Sequence, residues 1–370
     1  MSTEVVVDSE PRFTFQEIIR QPDLWMTTVE NVRLATERLS LGTDFRNARV
    51  LLTGAGTSAY AASAVASAWP GSIAVPTTDL LVDPERYLLG VDVVISIARS
   101  GDSPESAAVV NRVRELRPSV LQYAIVCNED GALSHSKLDG LITLDPRTND
   151  SSLVMTSAFS NLALAGLMLG RPDQAGSVLA FSQRGKMLLP EIGSVCQRAV
   201  ERIRDRIVIL SSSPLHGWAQ EAALKMLEMT AGRFPVISET YLGLRHGPMS
   251  FVKANTFVLC LLSNDPVRRL YELDLISELR SKGIGYLAGI TEAGEGESIF
   301  DEVIPAVSSQ AIDDLRTPFE IIGPQLLGYY LSLRCGLNPD NPSPEGIINR
   351  VVQGVRIHEP NGAFQPGLND

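Results

Sequence analysis

The chain has 370 residues, 44% of them hydrophobic, so it can bury a core larger than one small domain needs, and we expect two units. Its 43 acidic and 32 basic residues give a net charge of −11, which argues against nucleic acid as a partner and requires local groups to hold any anionic ligand. The four cysteines lie far apart, which argues against a disulfide framework or a zinc site and predicts a reduced, cytoplasmic setting.

Residues 1–48 are predicted to form a helical arm, with a helix start at Pro22 and Asp23. The stretch before Pro11 lacks the basic region and apolar run of a signal peptide. Nowhere does an uninterrupted apolar run approach the about 18 residues of a membrane helix. We therefore expect no membrane association.

After the arm, short apolar strands alternate with helical stretches in two series of similar spacing. Continuous Val, Ile and Leu runs of this kind are typical of parallel sheets that are covered on both faces. The sequence therefore predicts an α/β protein of two tandem lobes, each a doubly wound parallel sheet flanked by helices, over residues 49–190 and 191–370, the second with a C-terminal tail. The predicted strands are Val50–Thr53, Val91–Ile97, Gln122–Cys127 and Gly140–Leu144, then Arg206–Leu210, Thr256–Leu262, Gly285–Ile290 and Glu302–Val307.

The first predicted strand ends in a glycine turn, Gly54–Ala59, that leads into an alanine-rich helix. Glycines let backbone amides approach an anion, and the start of a helix adds about half a positive charge. The same run matches the dinucleotide fingerprint GxGxxA, with Asp79 placed as a ribose-binding acid. A nicotinamide cofactor is therefore an alternative at this point.

Two further loops follow the next strands and carry many hydroxyl groups. In the loop Arg99–Ser106, Ser100, Ser103 and backbone amides could surround a phosphate, with Arg99 as the countercharge. Serines in such a loop also cap helices routinely, and capping is the alternative here. The loop Thr148–Ser152 offers groups for sugar hydroxyls before a helix predicted over residues 151–169, or it is a solvated cap.

Acid–base residues are concentrated in the second half. Glu221, Lys225 and Glu228 are spaced to share one helix face, an arrangement that is either catalytic or a surface ladder of salt bridges. His246 lies in a short segment between glycine and proline, Gly243–Pro248, where a histidine is either structural or an acid–base group.

These motifs, in this order, resemble the sugar isomerase (SIS) domain family over residues 45–360. Together with Asn149–Ser157 and Asn349–Val355, they look like the tagatose-6-phosphate ketose/aldose isomerase group, which includes galactosamine-6-phosphate deaminases. The resemblance implies a sugar-phosphate substrate, no metal or other cofactor, and a homodimer or larger homo-oligomer with the site at the subunit interface.

The resemblance also implies roles for single residues. Glu228 would move a proton between C1 and C2, and His246 would open the sugar ring from a neighbouring subunit. From its chemistry alone, Lys225 could offset developing negative charge. The predicted phosphate-binding residues are Gly56, Thr57, Ser58, Arg99, Ser100, Gly101 and Ser103. The predicted sugar-binding residues are Asn149, Ser152, Thr156 and Gln353.

Two positions depart from the wider family. Ala98 replaces a serine of the phosphate loop, and Gln353 stands where glucosamine-6-phosphate synthases have a lysine, so no imine can form there. The favoured function is conversion of galactosamine 6-phosphate to tagatose 6-phosphate and ammonia. A plain phosphosugar isomerase, a deglycase of phosphorylated sugar–amine adducts and a non-catalytic sugar-phosphate sensor remain as alternatives.

Overall fold

The computed structural model describes residues 13–292, 298–343, 345–352 and 354–358. The chain begins with three helices, α1 to α3, over Thr14–Ile19, Gln21–Arg38 and Thr43–Asn47. Leu24 and Trp25 of α2 are fully buried, so the arm packs into the body of the protein.

The first sheet contains five parallel strands in the order β2-β1-β3-β4-β5. All residues of the central strands β1 and β3 are buried, as expected for a sheet covered on both faces. The strands span Val50–Gly54, Ser72–Pro76, Val93–Ala98, Leu121–Val126 and Gly140–Thr143.

The second sheet repeats this topology with strands β6 to β10, in the order β7-β6-β8-β9-β10, again all parallel. The two identical strand orders confirm two tandem doubly wound lobes. The strands span Ile207–Ser211, Val236–Thr240, Phe257–Leu261, Tyr286–Thr291 and Glu302–Pro305.

Two strands were missed by the sequence analysis, β2 and β7. Both lie at the edge of a sheet, next to β1 and β6 respectively. Their residues are mostly half-buried, and β2 ends in Pro76, so neither forms the continuous apolar run that identifies a central strand. Each of these strands is the second of its lobe. The predicted strands of the two halves therefore still showed similar spacing, although one strand was left out of each.

Helices cover both sheets and meet between them. Helix α8 is buried from Ser157 to Leu169, because it packs against α2, α4 and α13, and α10 packs against α4 and α14. The predicted helix start at Ser151 is wrong by six residues, since 151–156 form a loop. Helices α4 to α14 span Thr57–Ala68, Thr77–Val82, Pro84–Tyr87, Pro104–Leu116, Ser157–Gly170, Ala175–Ala199, His216–Met229, Tyr241–Leu244, Pro266–Ser281, Thr317–Glu320 and Ile322–Arg334.

One continuous apolar core runs through both lobes. It includes Leu52 and Ile95 from the first sheet and Ile209 and Leu259 from the second. Within it the ring of Trp25 meets the ring of Phe319 edge-on at 4.8 Å. Across the described part of the chain, none of the helices combines the length and apolar character needed to cross a bilayer.

Candidate active site

A cavity of about 400 Å³ lies at the carboxyl ends of β1 and β3. This is the point where the strand order of the first sheet reverses, the usual ligand position in open parallel sheets. Its wall combines the first two loops of the first lobe with Glu228 of the second lobe and residues 347–352 of the tail. The cavity therefore joins three parts of the chain that are distant in sequence.

The glycine turn after β1 forms one side of this cavity. A side chain at Gly54 would bring its Cβ within 2.6 Å of the Ser58 backbone, so the tight turn from strand to helix requires glycine. Helix α4 begins at Thr57, and Gly56 before it offers no side-chain cap. The first amides of α4 thus lie at the cavity wall without a capping side chain.

The loop after β3 forms the opposite side, and it too leads into a helix, α7, whose start has no capping side chain. Ser103 occupies the N-cap position of α7 but accepts no capping hydrogen bond, and its hydroxyl donates to Glu105 instead. Gly101 has a φ of 72°, the left-handed conformation that glycine tolerates best. Capping alone therefore does not account for Ser103, and a second helix start lies open at the cavity.

The corresponding loop of the second lobe, after β8, is filled by the chain's own carboxylates. The amide of Ser263 donates to Glu272 at 2.7 Å, and the amide of Asn264 donates to Asp313 at 2.9 Å. Asp265 caps α12 by accepting from the second and third amides of that helix. Of these two related loops, only the one in the first lobe leaves room for an external anion.

Glu221, Lys225 and Glu228 share one face of α10, as predicted, but this face is not on the surface. The Nζ atom of Lys225 lies 3.3 Å from Oε1 of Glu221 and 2.5 Å from Oε2 of Glu228. It also donates to Oγ1 of Thr57 at 3.2 Å, which links the three residues to the glycine turn. Only Glu228 is partly exposed, at 24% of its side chain, and it lines the cavity.

The charges in this group determine which carboxyl group can act as a base. Burial raises the pKa of Glu221 to about 8, and it does so against the attraction of Lys225. Burial alone would lower the pKa of Lys225, but the two neighbouring carboxylates outweigh it and raise that pKa. Near pH 7 the arrangement therefore favours a protonated Glu221 and a charged Lys225, and Glu228 is the carboxyl group of this set that faces the cavity.

Two carboxyl groups, one of α1 and one of the loop itself, hold the third loop, Thr148–Ser152, in place. Glu17 of α1 accepts from the amide of Ser151 at 2.6 Å and from the hydroxyl of Ser152. Asp150 accepts from the amides of Thr156 and Ala158, at 2.7 and 2.8 Å, and thereby caps α8. Burial, followed by the charge of Glu17, raises the pKa of Asp150 to about 7.

The predicted sugar-binding residues are not brought together. Ser152 and Thr156 are buried and do not line the cavity, whereas Leu153 and Met155 between them do. The Oδ1 atom of Asn149 accepts from Nη2 of Arg350 at 2.9 Å. Gln353, the fourth predicted sugar-binding residue, lies outside the described residues.

The predicted phosphate-binding residues do surround the cavity, because Gly56, Thr57, Ser58, Arg99, Ser100, Gly101 and Ser103 all line it. The guanidinium group of Arg99, however, is buried and donates to backbone carbonyls. Nη1 donates to Ser152 and Leu153, at 3.3 and 3.1 Å, and Nη2 donates to Arg350 at 2.7 Å. Arg99 therefore ties the third loop to the tail, a role that its position after β3 did not reveal.

His246 lies apart from the cavity. It is exposed in the turn after α11 and does not line the wall. Its neighbour Arg245 pairs with Glu278 of α12 at 2.7 Å, which fixes this segment on the outer face of the second lobe. Within one chain, the structure therefore does not bring His246 and Glu228 into one site.

Two cavity features were missed by the sequence analysis, the link from Thr57 to Glu221 and the position of Arg350. Oγ1 of Thr57 donates to Oε1 of Glu221 at 3.4 Å across a sequence separation of 164. Glu221 was noticed for its spacing but given no role. The segment Asn349–Val355 was noticed as a motif, and that was the available signal for Arg350.

Comparisons with known proteins find relatives over almost the whole chain. The chain is 35% identical to the D-galactosamine-6-phosphate deaminase AgaS of Shewanella sp. strain ANA-3, over 97% of this chain and 95% of that protein. It is 36% identical to the AgaS protein of Streptomyces coelicolor, over 96% and 97% of the two chains. The crystal structure of tagatose-6-phosphate ketose/aldose isomerase from Escherichia coli superposes with a TM-score of 0.83 at 30% identity, over 94% of this chain and 97% of that one. No protein-family model matches the chain.

Proposed function

Because the chain belongs to the AgaS family of sugar isomerase (SIS) enzymes, which act on phosphosugars, we propose that it converts galactosamine 6-phosphate and water to tagatose 6-phosphate and ammonia. The observation that carries this proposal is the position of Glu228. Its carboxylate lines the same cavity as two helix N-termini that no side chain caps.

The substrate's phosphate binds at the starts of α4 and α7. The backbone amides there, with the hydroxyls of Ser58, Ser100 and Ser103, supply donors, and the two helix ends supply partial positive charge. With the phosphate fixed at this end, the sugar chain extends towards Glu228. Leu153 and Met155 give the wall an apolar surface on one side.

Proton transfer begins once the ring is open and C1 is an aldehyde. The carboxylate of Glu228 removes the proton from C2, which is acidic because it lies beside the carbonyl, and returns it to C1, while a second proton passes from the C2 amine through solvent to O1. The product is an imine at C2, which water hydrolyses to the ketone and ammonia. Lys225, whose Nζ lies 2.5 Å from Glu228, holds that side chain by an ion pair and offsets negative charge on the substrate during the transfer.

Ring opening is assigned to His246 of a second copy of the chain. This assignment is supported by the exposure of His246 and by its distance in the fold from the cavity of its own chain. Helix α11 packs on α12, whose Leu270 and Tyr271 are 65% and 53% exposed, so an apolar surface suited to a second copy adjoins the histidine segment. The functional unit is therefore a homodimer with composite sites.

A plain ketose/aldose isomerase is the second candidate, favoured by the name of the Escherichia coli structure. It would use the same proton transfer with a hydroxyl group in place of the amine. Release of ammonia separates the two functions.

The test measures ammonia release from galactosamine 6-phosphate and glucosamine 6-phosphate, coupled to glutamate dehydrogenase. We expect release by the wild type, with tagatose 6-phosphate as the product of the first sugar, and release about 10²–10⁴-fold slower by Glu228→Gln. Failure of the wild type to release ammonia, with interconversion of tagatose 6-phosphate and its aldose instead, would establish the isomerase.

The composite site is tested by mixing two inactive variants, Glu228→Gln and His246→Ala, after partial unfolding and refolding. A mixed dimer contains one site with both substitutions and one site with neither. We expect activity to return on mixing and the protein to run as a dimer in light scattering. Two variants that remain inactive together would place both residues in the site of one chain.

A further inference from the structure

The charged groups on the cavity wall are Arg99, Glu228 and Arg350, among the described residues. Glu228 is paired with Lys225, and Arg99 is 6% exposed with its guanidinium group bonded to backbone carbonyls. Arg350 is the exposed cation of this set. A phosphate monoester carries a charge of about −1.5 to −2 near pH 7. Two helix ends of about half a charge each leave part of that charge without compensation.

Arg350 also fastens the tail to the rest of the molecule. Its Nε and Nη2 atoms donate to the carbonyl of Asp150, at 3.2 and 2.6 Å, and Nη2 donates to Asn149 at 2.9 Å. Its own carbonyl accepts from Arg99. Every hydrogen bond described between residues 345–352 and the body of the protein is made by Arg350. Arg350 thus joins the tail to the third loop and to Arg99, while Gly346 and Ile348 bond to Ser343 just before them.

The two arginines lie close enough to repel each other. Burial lowers the pKa of Arg99, and the charge of Arg350 lowers it further. Both arginines line the cavity together with Ser100 and Ser103, and the described hydrogen bonds of Arg350 use Nε and Nη2, so Nη1 can form a charge-assisted hydrogen bond to an anion. The groups around the cavity therefore favour a ligand with a doubly charged phosphate.

We propose that Arg350 determines specificity for phosphorylated sugars by binding the substrate's phosphate. The phosphomonoester of a hexose bonds to the guanidinium group, which keeps its contacts with the third loop, and so holds the tail over the bound sugar. The inference rests on the proposed function only in taking this cavity as the substrate site. It adds a residue of the tail to the phosphate-binding loops of the first lobe.

The test uses Arg350→Gln and Arg350→Lys, with Arg356→Gln as the matched control, because Arg356 is an exposed arginine of the same tail that does not line the cavity. Binding of inorganic phosphate is measured by calorimetry, and kcat and KM are measured with galactosamine 6-phosphate. Loss of a charged hydrogen bond predicts phosphate binding about 10- to 100-fold weaker in Arg350→Gln, with KM raised more than kcat is lowered. Lysine should restore part of the affinity because it keeps the charge, and the control should match the wild type.

Wild-type phosphate affinity in Arg350→Gln would overturn the proposal. Equal weakening in Arg350→Lys and Arg350→Gln would also overturn it, because the residue would then act only by tethering the tail. Phosphate binding does not require turnover. If the wild type binds phosphate through Arg350 but releases no ammonia from either amino sugar phosphate, the proposed function fails and the role of Arg350 stands.

Discussion

Replacing Glu228 with glutamine tests the central step of the proposed chemistry. The substitution keeps the size of the side chain and removes the only carboxylate on the described cavity wall. General-base catalysis contributes about 10²–10⁴-fold to a rate, so we expect kcat to fall by that factor, or about 3–5 kcal/mol in the barrier. KM should change little, because the phosphate-binding loops are untouched.

The fold should tolerate this change. Lys225 keeps Glu221 as a partner at 3.3 Å, and loss of the neighbouring Glu228 charge lets the pKa of Glu221 fall, so that the carboxylate can balance the lysine. We therefore expect the free energy of unfolding to remain within about 2 kcal/mol of the wild type. Any loss of activity can then be assigned to chemistry.

The assay follows two signals, ammonia release and exchange of the C2 hydrogen with solvent deuterium. Glu191→Gln, a substitution of an exposed glutamate on α9, is the matched control and should retain full activity. A Glu228→Gln enzyme that keeps both signals within about tenfold of the wild type would refute the role of Glu228, since a general base contributes at least about 10²-fold.

Four further substitutions test the electrostatics and the two helix starts. Lys225→Met leaves the buried Glu221 and the partly exposed Glu228 without their cation, so urea unfolding should show a loss of about 3–5 kcal/mol, and an unchanged midpoint would contradict the pairing. The pKa of Asp150 is raised from 3.8 to about 7 in the folded protein, so its protonated carboxyl group contributes to the free energy of unfolding at low pH. This contribution is lost as the pH rises between those two values, at up to about 1.4 kcal/mol per pH unit. Asp150→Asn should therefore be more stable relative to the wild type at pH 8 than at pH 5, and parallel stability curves would argue against this raised pKa. Asp265→Ala should lower the free energy of unfolding by about 1 kcal/mol and leave phosphate affinity unchanged. Ser103→Ala should weaken phosphate binding with little loss of stability. The reverse pattern would exchange the roles assigned to the two N-caps.

The part of the fold that could be predicted is the part that local sequence determines. Central strands such as β1 and β3 are buried on both faces and therefore form continuous apolar runs. The edge strands β2 and β7 are half-buried and gave no such signal. The loops predicted to bind phosphate could be located at the cavity for a similar reason, because a glycine turn between a strand and a helix is a local feature.

The parts of the site that could not be predicted depend on contacts between distant residues. Ser152 was assigned to sugar because a hydroxyl group near a helix start can bind either a ligand or the protein. Its actual partner, Glu17, is 135 positions away, and no local pattern indicates that bond. Arg99 was assigned to phosphate for its position in the loop, but three backbone carbonyls, one of them on Arg350, accept its hydrogen bonds.

The shared core has a consequence for the way in which the protein is made. Gln21 of α2 bonds to Gln325 of α14, 304 positions further along, and Trp25 packs on Phe319. At about 5–20 residues per second, a ribosome needs roughly 15–60 s to synthesise that interval. Helices α8 and α9, which also pack on α2, emerge earlier, but the partners of α2 on α13 and α14 do not. The core around Trp25 is therefore completed only when the last helices have been synthesised.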